Sequence, residues 1–241
     1  MRQGPNDCSM ISLENLALFT PMDLAALVLL ILLWCIIGWR VEHPSAKSPS
    51  TSMIMSEYRR QWMIQMIARE VRIFDSQTIS TLRQGTSFFA STSVIAIGGT
   101  LALIGNADQI AGVAKDLTET SPPEIVWEIK LMTIVALLTS AFLKFVWSNR
   151  LFGYCSVMVG ATPNRHVAGK SEAFAHKAAE LNIAAARSFN RGLRAMYFAL
   201  AAVAWLAGAA PLMGAAIITS IVIWRREFAS QSRKVLLEET P

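Results

Sequence analysis

The chain has 241 residues, of which 53% are hydrophobic and 16% are charged, and its formal net charge is +5. Soluble domains carry about 25% charged residues, so this composition excludes an ordinary soluble domain and indicates a membrane protein. The basic residues cluster in particular loops, a distribution that orients membrane proteins, and we therefore do not interpret them as a nucleic-acid-binding surface. The length fits one membrane domain over residues 1–241.

The sequence predicts an all-α, polytopic transmembrane helical bundle with amphipathic cytosolic helices. After an extracytoplasmic N-terminal extension over residues 1–20, separate apolar runs predict the membrane helices, since about 20 apolar residues cross a bilayer. The predicted membrane helices are 21–39, 86–106, 124–148, 192–208 and 211–226.

The last apolar region, residues 195–224, is longer than one span requires and is interrupted by Gly208 and Pro211. It can form one kinked span or a helical hairpin, which gives four or five spans in total. The basic segments 40–83 and 150–194 flank an acidic loop, so the N-terminus is predicted outside and both basic segments in the cytosol. A hairpin is favoured because it also keeps the basic C-terminus in the cytosol.

Two cytosolic helices are predicted, over residues 53–84 and 171–191. The first is amphipathic, because Met63, Ile67 and Val71 recur at helical spacing on one face and arginines occupy another. An Arg-rich face beside a Trp predicts a surface that binds anionic lipid headgroups or a partner protein. The residues of this predicted surface are Arg59, Arg60, Trp62, Arg69 and Arg72. The alternative is that this face packs on the protein's own cytosolic side.

The third span, IKLMTIVALLTSAFLKFVWSNR at its centre, carries Lys144 deep in the apolar run. A cation at that depth is costly unless it faces other helices or water, so we expect this helix to organise the bundle. Lys144 and the hydroxyl groups of the second span together predict a buried polar cluster near the cytosolic interface. The residues of this cluster are Ser87, Ser91, Ser140, Lys144, Ser148 and Arg150. The alternative is that Lys144 reaches the interface beside Trp147.

The second span has hydroxyl residues in its first half and small residues, Gly98, Ala102 and Gly105, along one face of its second half. Small residues let helices approach closely. We therefore expect this helix to be central and tightly packed. A solute path lined by its hydroxyl groups is the alternative.

Four sequence blocks carry a resemblance to a known family: RQGTSFFASTSVIAIGG, LKFVWSNRLFGYC, RSFNRGLRAMYFALA and WRREF. They resemble the bacterial membrane proteins grouped as domain of unknown function 599, over about residues 23–230. The resemblance implies an all-helical protein of the bacterial inner membrane. It implies no catalytic residues, because the family has no assigned activity.

No nucleophile–base pair, metal-ligand cluster or nucleotide-binding motif stands out, so we expect neither an enzyme nor a cofactor. The preferred hypothesis is a structural or accessory subunit that self-assembles or stabilises a larger membrane complex, in contact with anionic lipids on the cytosolic side. The first alternative is a small transporter or channel in which Lys144 attracts an anion. The second is a membrane enzyme acting on lipid, although Asp75, His166 and His176 are scattered along the sequence.

Two structural observations separate these hypotheses. Water-filled space around Lys144 favours transport, whereas side chains packed against Lys144 favour a structural role. A stripe of Gly and Ala residues left uncovered on a membrane helix favours oligomerisation.

Overall fold

The structure, a computed structural model, describes residues 19–45, 47–105 and 123–238. Most of the predicted N-terminal extension and the acidic loop after the second span lie outside the described residues. The helices, numbered in chain order, are α1 Pro21–Glu42, α2 Thr51–Ile67, α3 Ile73–Ile104, α4 Glu124–Ala161, α5 Lys170–Val203, α6 Ala209–Phe228 and α7 Gln231–Leu237, with a 3₁₀ turn Ala204–Ala207 between α5 and α6.

Several helical stretches are long and apolar enough to cross a membrane, which agrees with the predicted all-α membrane bundle. Within the described residues these stretches are Pro21–Glu42, Ile73–Ile104, Glu124–Ala161 and Ala209–Leu237. Helix α5 is not one of them by composition, because charged residues continue along it as far as Arg194.

Helix α4 is the central helix, with buried residues distributed over its whole length. It packs antiparallel to α5: the Ser148 hydroxyl donates to the Ala185 carbonyl at 2.7 Å, and the Ser188 hydroxyl donates to the Lys144 carbonyl at 2.8 Å. The C-terminal half of α5 therefore lies beside the apolar part of α4, although its own composition is too polar to indicate a span.

The last apolar region forms the expected helical hairpin. The chain reverses at Gly208, whose φ of 124° is a conformation that L side chains rarely adopt. Beyond it, α6 returns beside α5, and the Tyr197 hydroxyl accepts a hydrogen bond of 2.8 Å from Arg226. Helix α1 runs parallel to α6, with Arg40 5.7 Å from the ring centroid of Trp224.

The bundle consequently has two chemically different ends. At one end, which we call the acidic end, Asp23 of α1 accepts a hydrogen bond of 2.8 Å from the Trp205 indole. Lys130 of α4 lies 5.8 Å from the ring centroid of the same Trp205. The opposite end, which we call the basic end, holds α2, α7, the N-termini of α3 and α5 and the C-termini of α1, α4 and α6. Most of the arginines lie there.

The predicted division into a cytosolic helix 53–84 and a span 86–106 is wrong. The helix breaks between Ala68 and Arg72, and α3 then continues without interruption over Ile73–Ile104. The break contains neither Gly nor Pro, so no local signal marks it. Because α3 rises about 1.5 Å per residue, its first turns extend beyond the roughly 30 Å hydrocarbon core.

Tertiary hydrogen bonds explain this break. Asp75, which is fully buried in the first turn of α3, accepts hydrogen bonds from the Trp62 indole and from Arg69. Arg72 donates to two backbone carbonyl groups in the loop after α4. These bonds hold the turn between α2 and α3 against the polar end of α4 and offset the lost helical hydrogen bonds.

The other predicted boundaries also shift. The predicted span 124–148 continues as one helix to Ala161, and the predicted helices 171–191 and 192–208 are one continuous helix, α5. The boundary between the predicted helices 171–191 and 192–208 was placed where the side chains change from polar to apolar. The backbone of α5 remains helical through this change. Packing against α4 along both parts of α5 accounts for this continuity.

The expectation that the second span is central is wrong as well. Within the described part of the chain, α3 packs chiefly on α4, and Phe89 stacks on Phe145 with centroids 5.4 Å apart. The hydroxyl groups of Thr92 and Ser93 donate to carbonyl groups of α3 itself, at 2.9 and 2.7 Å. They therefore need no neighbouring helix as a partner.

We predict that Gly192→Ala destabilises the protein by about 1–3 kcal/mol, the usual cost of an overpacked core. A Cβ atom at Gly192 would lie 2.6 Å from the buried ring of Phe145. The measurement is the unfolding midpoint in detergent, with Gly214→Ala as the control because nothing lies within 4 Å of a Cβ at Gly214. Equal midpoints for the two variants would contradict the close packing of α4 and α5.

Candidate functional site

The structure separates the predicted polar cluster into several unrelated groups. The Lys144 ammonium donates to the Ser140 hydroxyl and lies 5.4 Å from the ring centroid of Trp34, whereas Ser148 faces α5. Each step of four residues rotates a helix position by about 40°, so Ser148 is turned about 80° from Ser140. The members of the predicted cluster on α4 therefore face two different neighbours.

The remaining members of the predicted cluster lie elsewhere. Ser87 accepts a hydrogen bond of 2.8 Å from the Asn149 amide, and Ser91 is exposed. Arg150 is also exposed and donates to the Tyr154 hydroxyl at 3.1 Å. The prediction of one buried cluster is therefore wrong, because its residues occupy different faces of α3 and α4.

The arginines of the predicted lipid or partner surface have partners within the chain. Arg60 pairs with Glu180 at 2.9 Å and Arg59 donates to the Asn182 side chain, while Trp62, Arg69 and Arg72 hold the turn between α2 and α3. These contacts agree with the alternative interpretation, in which this face of α2 packs on the protein itself. Lipid or partner binding by these residues stays a prediction.

A buried ion-pair group lies at the basic end, where α1 meets α5. Glu42, in the last turn of α1, accepts hydrogen bonds from Arg191 and Arg194, which are three residues apart on one face of α5. The side chains of Glu42 and Arg194 are only 17% and 8% exposed. One carboxylate is thus held between two guanidinium groups at the edge of the apolar core.

A second carboxylate accepts hydrogen bonds from neutral groups. Glu227, near the end of α6, accepts a hydrogen bond from the backbone N–H of Ser52 at 3.1 Å and from the Ser52 hydroxyl at 2.9 Å. The Asn190 amide donates to the same hydroxyl at 3.2 Å, and Thr51 donates to the Glu227 carbonyl at 3.0 Å. These bonds join the first turn of α2 to both α5 and α6.

A cavity of about 730 Å³ opens between these groups at the basic end. Its volume is in the range of small-molecule sites, roughly 300–1,000 Å³. Apolar side chains provide much of its wall. The charged residues that line it are Arg59, Arg187, Arg194, Arg226, Glu42 and Glu227. Four guanidinium groups therefore face two carboxylates, both of which already accept hydrogen bonds within the chain.

Arg59 is one of the cavity cations that take part in no ion pair with the described residues. It is partly buried between α2 and α5, and burial lowers the pKa of its guanidinium from the ordinary value. Its side-chain partner is the neutral carboxamide of Asn182. Among the residues that the structure describes, no carboxylate lies within ion-pair distance of Arg59. The described part of the chain thus leaves positive charge in the cavity without an ion-pair partner.

Sequence reasoning missed the main residues of this cavity. Glu42 lies just beyond the predicted span 21–39, and an acidic residue in this basic segment is a usable signal. Asn190 and Arg191 lie in one of the blocks that carry the family resemblance, but nothing in the sequence brings Asn190 to Ser52 or Arg191 to Glu42, which are remote in the chain. In the described residues, no group of three His, Cys, Asp or Glu side chains is placed to hold a metal ion.

We predict that Glu42→Gln costs about 2–4 kcal/mol of stability, because it leaves buried Arg194 without its counter-charge. The matched control is Glu180→Gln, which removes the more exposed ion pair with Arg60 and costs less than about 1 kcal/mol. Chemical unfolding of both variants in one detergent measures the difference. Similar losses for both would show that the Glu42 ion pairs do not contribute as the structure implies.

Comparison with known proteins places the chain in a family. The sequence model of the family described as "Protein of unknown function, DUF599" matches residues 25–232. This match covers most of the chain and includes the residues that line the cavity. No curated protein and no solved structure matches the chain.

Proposed function

Since the chain belongs to the DUF599 family of proteins of unknown function, we propose its role from the structure: it is an integral membrane protein with a structural rather than an enzymatic role. It self-assembles through one face of α3. The observation that carries the proposal is the exposure of small residues on this helix. The α3 face could instead contact a foreign membrane subunit rather than a second copy of this chain, and the test below distinguishes these two outcomes.

Helix α3 is long but poorly covered by the rest of the described chain. Its buried residues are Asp75, Ile79, Thr86 and Ser93, so the part beyond Ser93 has none. Gly98 and Gly99 are exposed, and a Cβ atom at either would meet no atom within 4 Å. Exposed apolar residues such as Val94, Ile95 and Leu101 flank these glycines, so the glycines themselves distinguish this face of α3.

Small residues on a membrane helix allow another helix to approach closely, because backbone and side-chain packing drives association where the hydrophobic effect is absent. A two-fold symmetric dimer uses the same patch on both subunits, so the small residues Ser91, Gly98 and Gly99 would lower the bulk of both partners at once. These properties support a second copy of the chain as the occupant of the α3 face.

The surroundings of Lys144 support a structural role over transport. Its ammonium donates to Ser140 and lies over the Trp34 ring, and Lys144 is not among the residues that line the cavity at the basic end. The hydroxyl groups of Thr92 and Ser93 bond to their own helix. A path for an anion past Lys144 therefore has little support.

The proposal also includes placement in the bacterial inner membrane, with the N-terminus outside and the C-terminus in the cytosol. The separation of the two ends supports this orientation, because basic residues are retained on the cytosolic side of membrane proteins. The hairpin of α5 and α6 keeps Arg225 and Arg226 at the same end as α2.

We predict that the purified protein is a homo-oligomer and that Gly98→Leu dissociates it at least about tenfold more readily, because a loss of about 1.4 kcal/mol in association corresponds to that factor. Leu suits a lipid-exposed helix but prevents close approach of a second helix. The matched control is Gly214→Leu in α6, since Gly214 is also exposed and has nothing within 4 Å of its Cβ position. Light scattering in detergent and cross-linking in native membranes measure the assembly.

A monomeric wild-type protein in native membranes would refute self-assembly. A stoichiometric foreign partner that Gly98→Leu releases would replace the second copy as the occupant of the α3 face. Equal assembly of the Gly98→Leu and Gly214→Leu variants would show that the contact lies elsewhere.

A further inference from the structure

The cavity at the basic end continues into the membrane part of the bundle. A second concavity, an apolar groove of about 380 Å³, lies between α5 and α6. Tyr197 and Ile223 line both the cavity and the groove, so the two spaces meet at these side chains. The other residues of the groove are Leu200, Ala201, Ala215, Ile218, Thr219 and Val222.

The groove has the shape and polarity of a site for a hydrocarbon chain. It follows α6 from Ile223 to Ala215, a length of about 12 Å at the helical rise per residue. Leu200 and Ile218 on its rim are exposed, so the groove opens sideways to the lipid. The polar part of a bound molecule would lie at the end of the groove that meets the cavity, next to Tyr197.

The cavity supplies the charge for that polar part. Arg226 donates to the Tyr197 hydroxyl at the junction of the cavity and the groove. Arg59 and Arg187 line the same cavity, whereas the two carboxylates beside them already accept hydrogen bonds from Arg191, Arg194 and Ser52. Guanidinium groups bind phosphate oxygens with strong, charge-assisted hydrogen bonds.

We infer that the cavity and groove together bind one phosphate-bearing amphiphile of net negative charge, with its phosphate among Arg59, Arg187 and Arg226 and its hydrocarbon chain between α5 and α6. The site differs from the surface predicted on α2, because only Arg59 belongs to both. It also does not depend on self-assembly, since α3 contributes no residue to the groove, and its cavity residues Thr81, Leu82, Gly85 and Thr86 lie apart from Gly98 and Gly99. The joint presence of a basic cavity and an apolar groove favours a membrane lipid over a soluble phosphate ester.

Native mass spectrometry of the full-length protein tests this inference. The probes are phosphatidylglycerol, phosphatidylcholine and the soluble glycerol 3-phosphate, each added at equal concentration. We expect one phosphatidylglycerol to be retained per chain, with an affinity about tenfold higher than that for phosphatidylcholine, and little retention of glycerol 3-phosphate. Equal retention of the two lipids would overturn the inference, because the guanidinium groups would then not recognise net negative charge.

Neighbouring residues on α6 provide a matched pair of variants for the headgroup. Arg226→Gln should weaken phosphatidylglycerol binding about fivefold to tenfold, since it removes one charge-assisted contact near the membrane surface. Arg225→Gln should have little effect, because Arg225 does not line the cavity. If Arg226→Gln lowers the unfolding midpoint of the lipid-free protein, Arg187→Gln replaces it, since Arg187 is exposed. Equal binding by the cavity variant and by Arg225→Gln would overturn the inference.

A second pair of variants tests the groove. Thr219→Phe fills the groove, whereas Ile221→Phe adds the same ring on α6 outside it. Only Thr219→Phe should lower phosphatidylglycerol retention, and neither should change binding of glycerol 3-phosphate. If glycerol 3-phosphate binds as tightly as the lipid and Thr219→Phe has no effect, the ligand is a soluble phosphate ester, and the assignment of the groove is wrong.

Discussion

Phe145 of α4 lies directly on Gly192 of α5, at a position where a Cβ atom would come within 2.6 Å of the ring. This close contact fixes how the two longest helices pair. Ala141 and Ala195, both fully buried, belong to the same packed cluster, and Phe89 of α3 stacks on the other side of Phe145. Because interiors of proteins are close-packed, the register of α4 against α5 leaves little freedom for the helices that flank them.

The two ends of the bundle follow from this register. At the acidic end it brings Trp205 to Asp23, and at the basic end it turns Arg191 and Arg194 toward Glu42 at the end of α1. Buried ion pairs contribute little net stability, but removing one partner is expensive, so this group fixes where α1 ends against α5. The cavity lies where α2, which packs along α5 between Asn190 and Glu180, leaves space beside the C-terminal ends of α1 and α6.

The apolar runs and the Gly208 interruption predicted the bundle and its hairpin, because length and hydrophobicity are local properties of the sequence. The break after α2 was not predictable in the same way. It depends on the bonds of Asp75 to Trp62 and Arg69, which appear only after folding. The ion-pair group at the basic end was not predictable for a related reason. Lys144 stands out locally as a cation in an apolar run, whereas Glu42 acquires its partners from α5, about 150 residues away.

The central structural claim is that α5 follows α4 in one register from the basic end into the membrane. Thiol cross-linking in native membranes tests it most directly, with all other cysteines replaced by Ser. One pair joins Cys155 to Ala178→Cys at the basic end, where the Cys155 thiol lies 3.3 Å from the Ala178 carbonyl. The other joins Ala141→Cys to Ala195→Cys at membrane depth. The structure predicts rapid cross-linking of both pairs, and cross-linking of only the first would show that α5 leaves α4 before it enters the membrane.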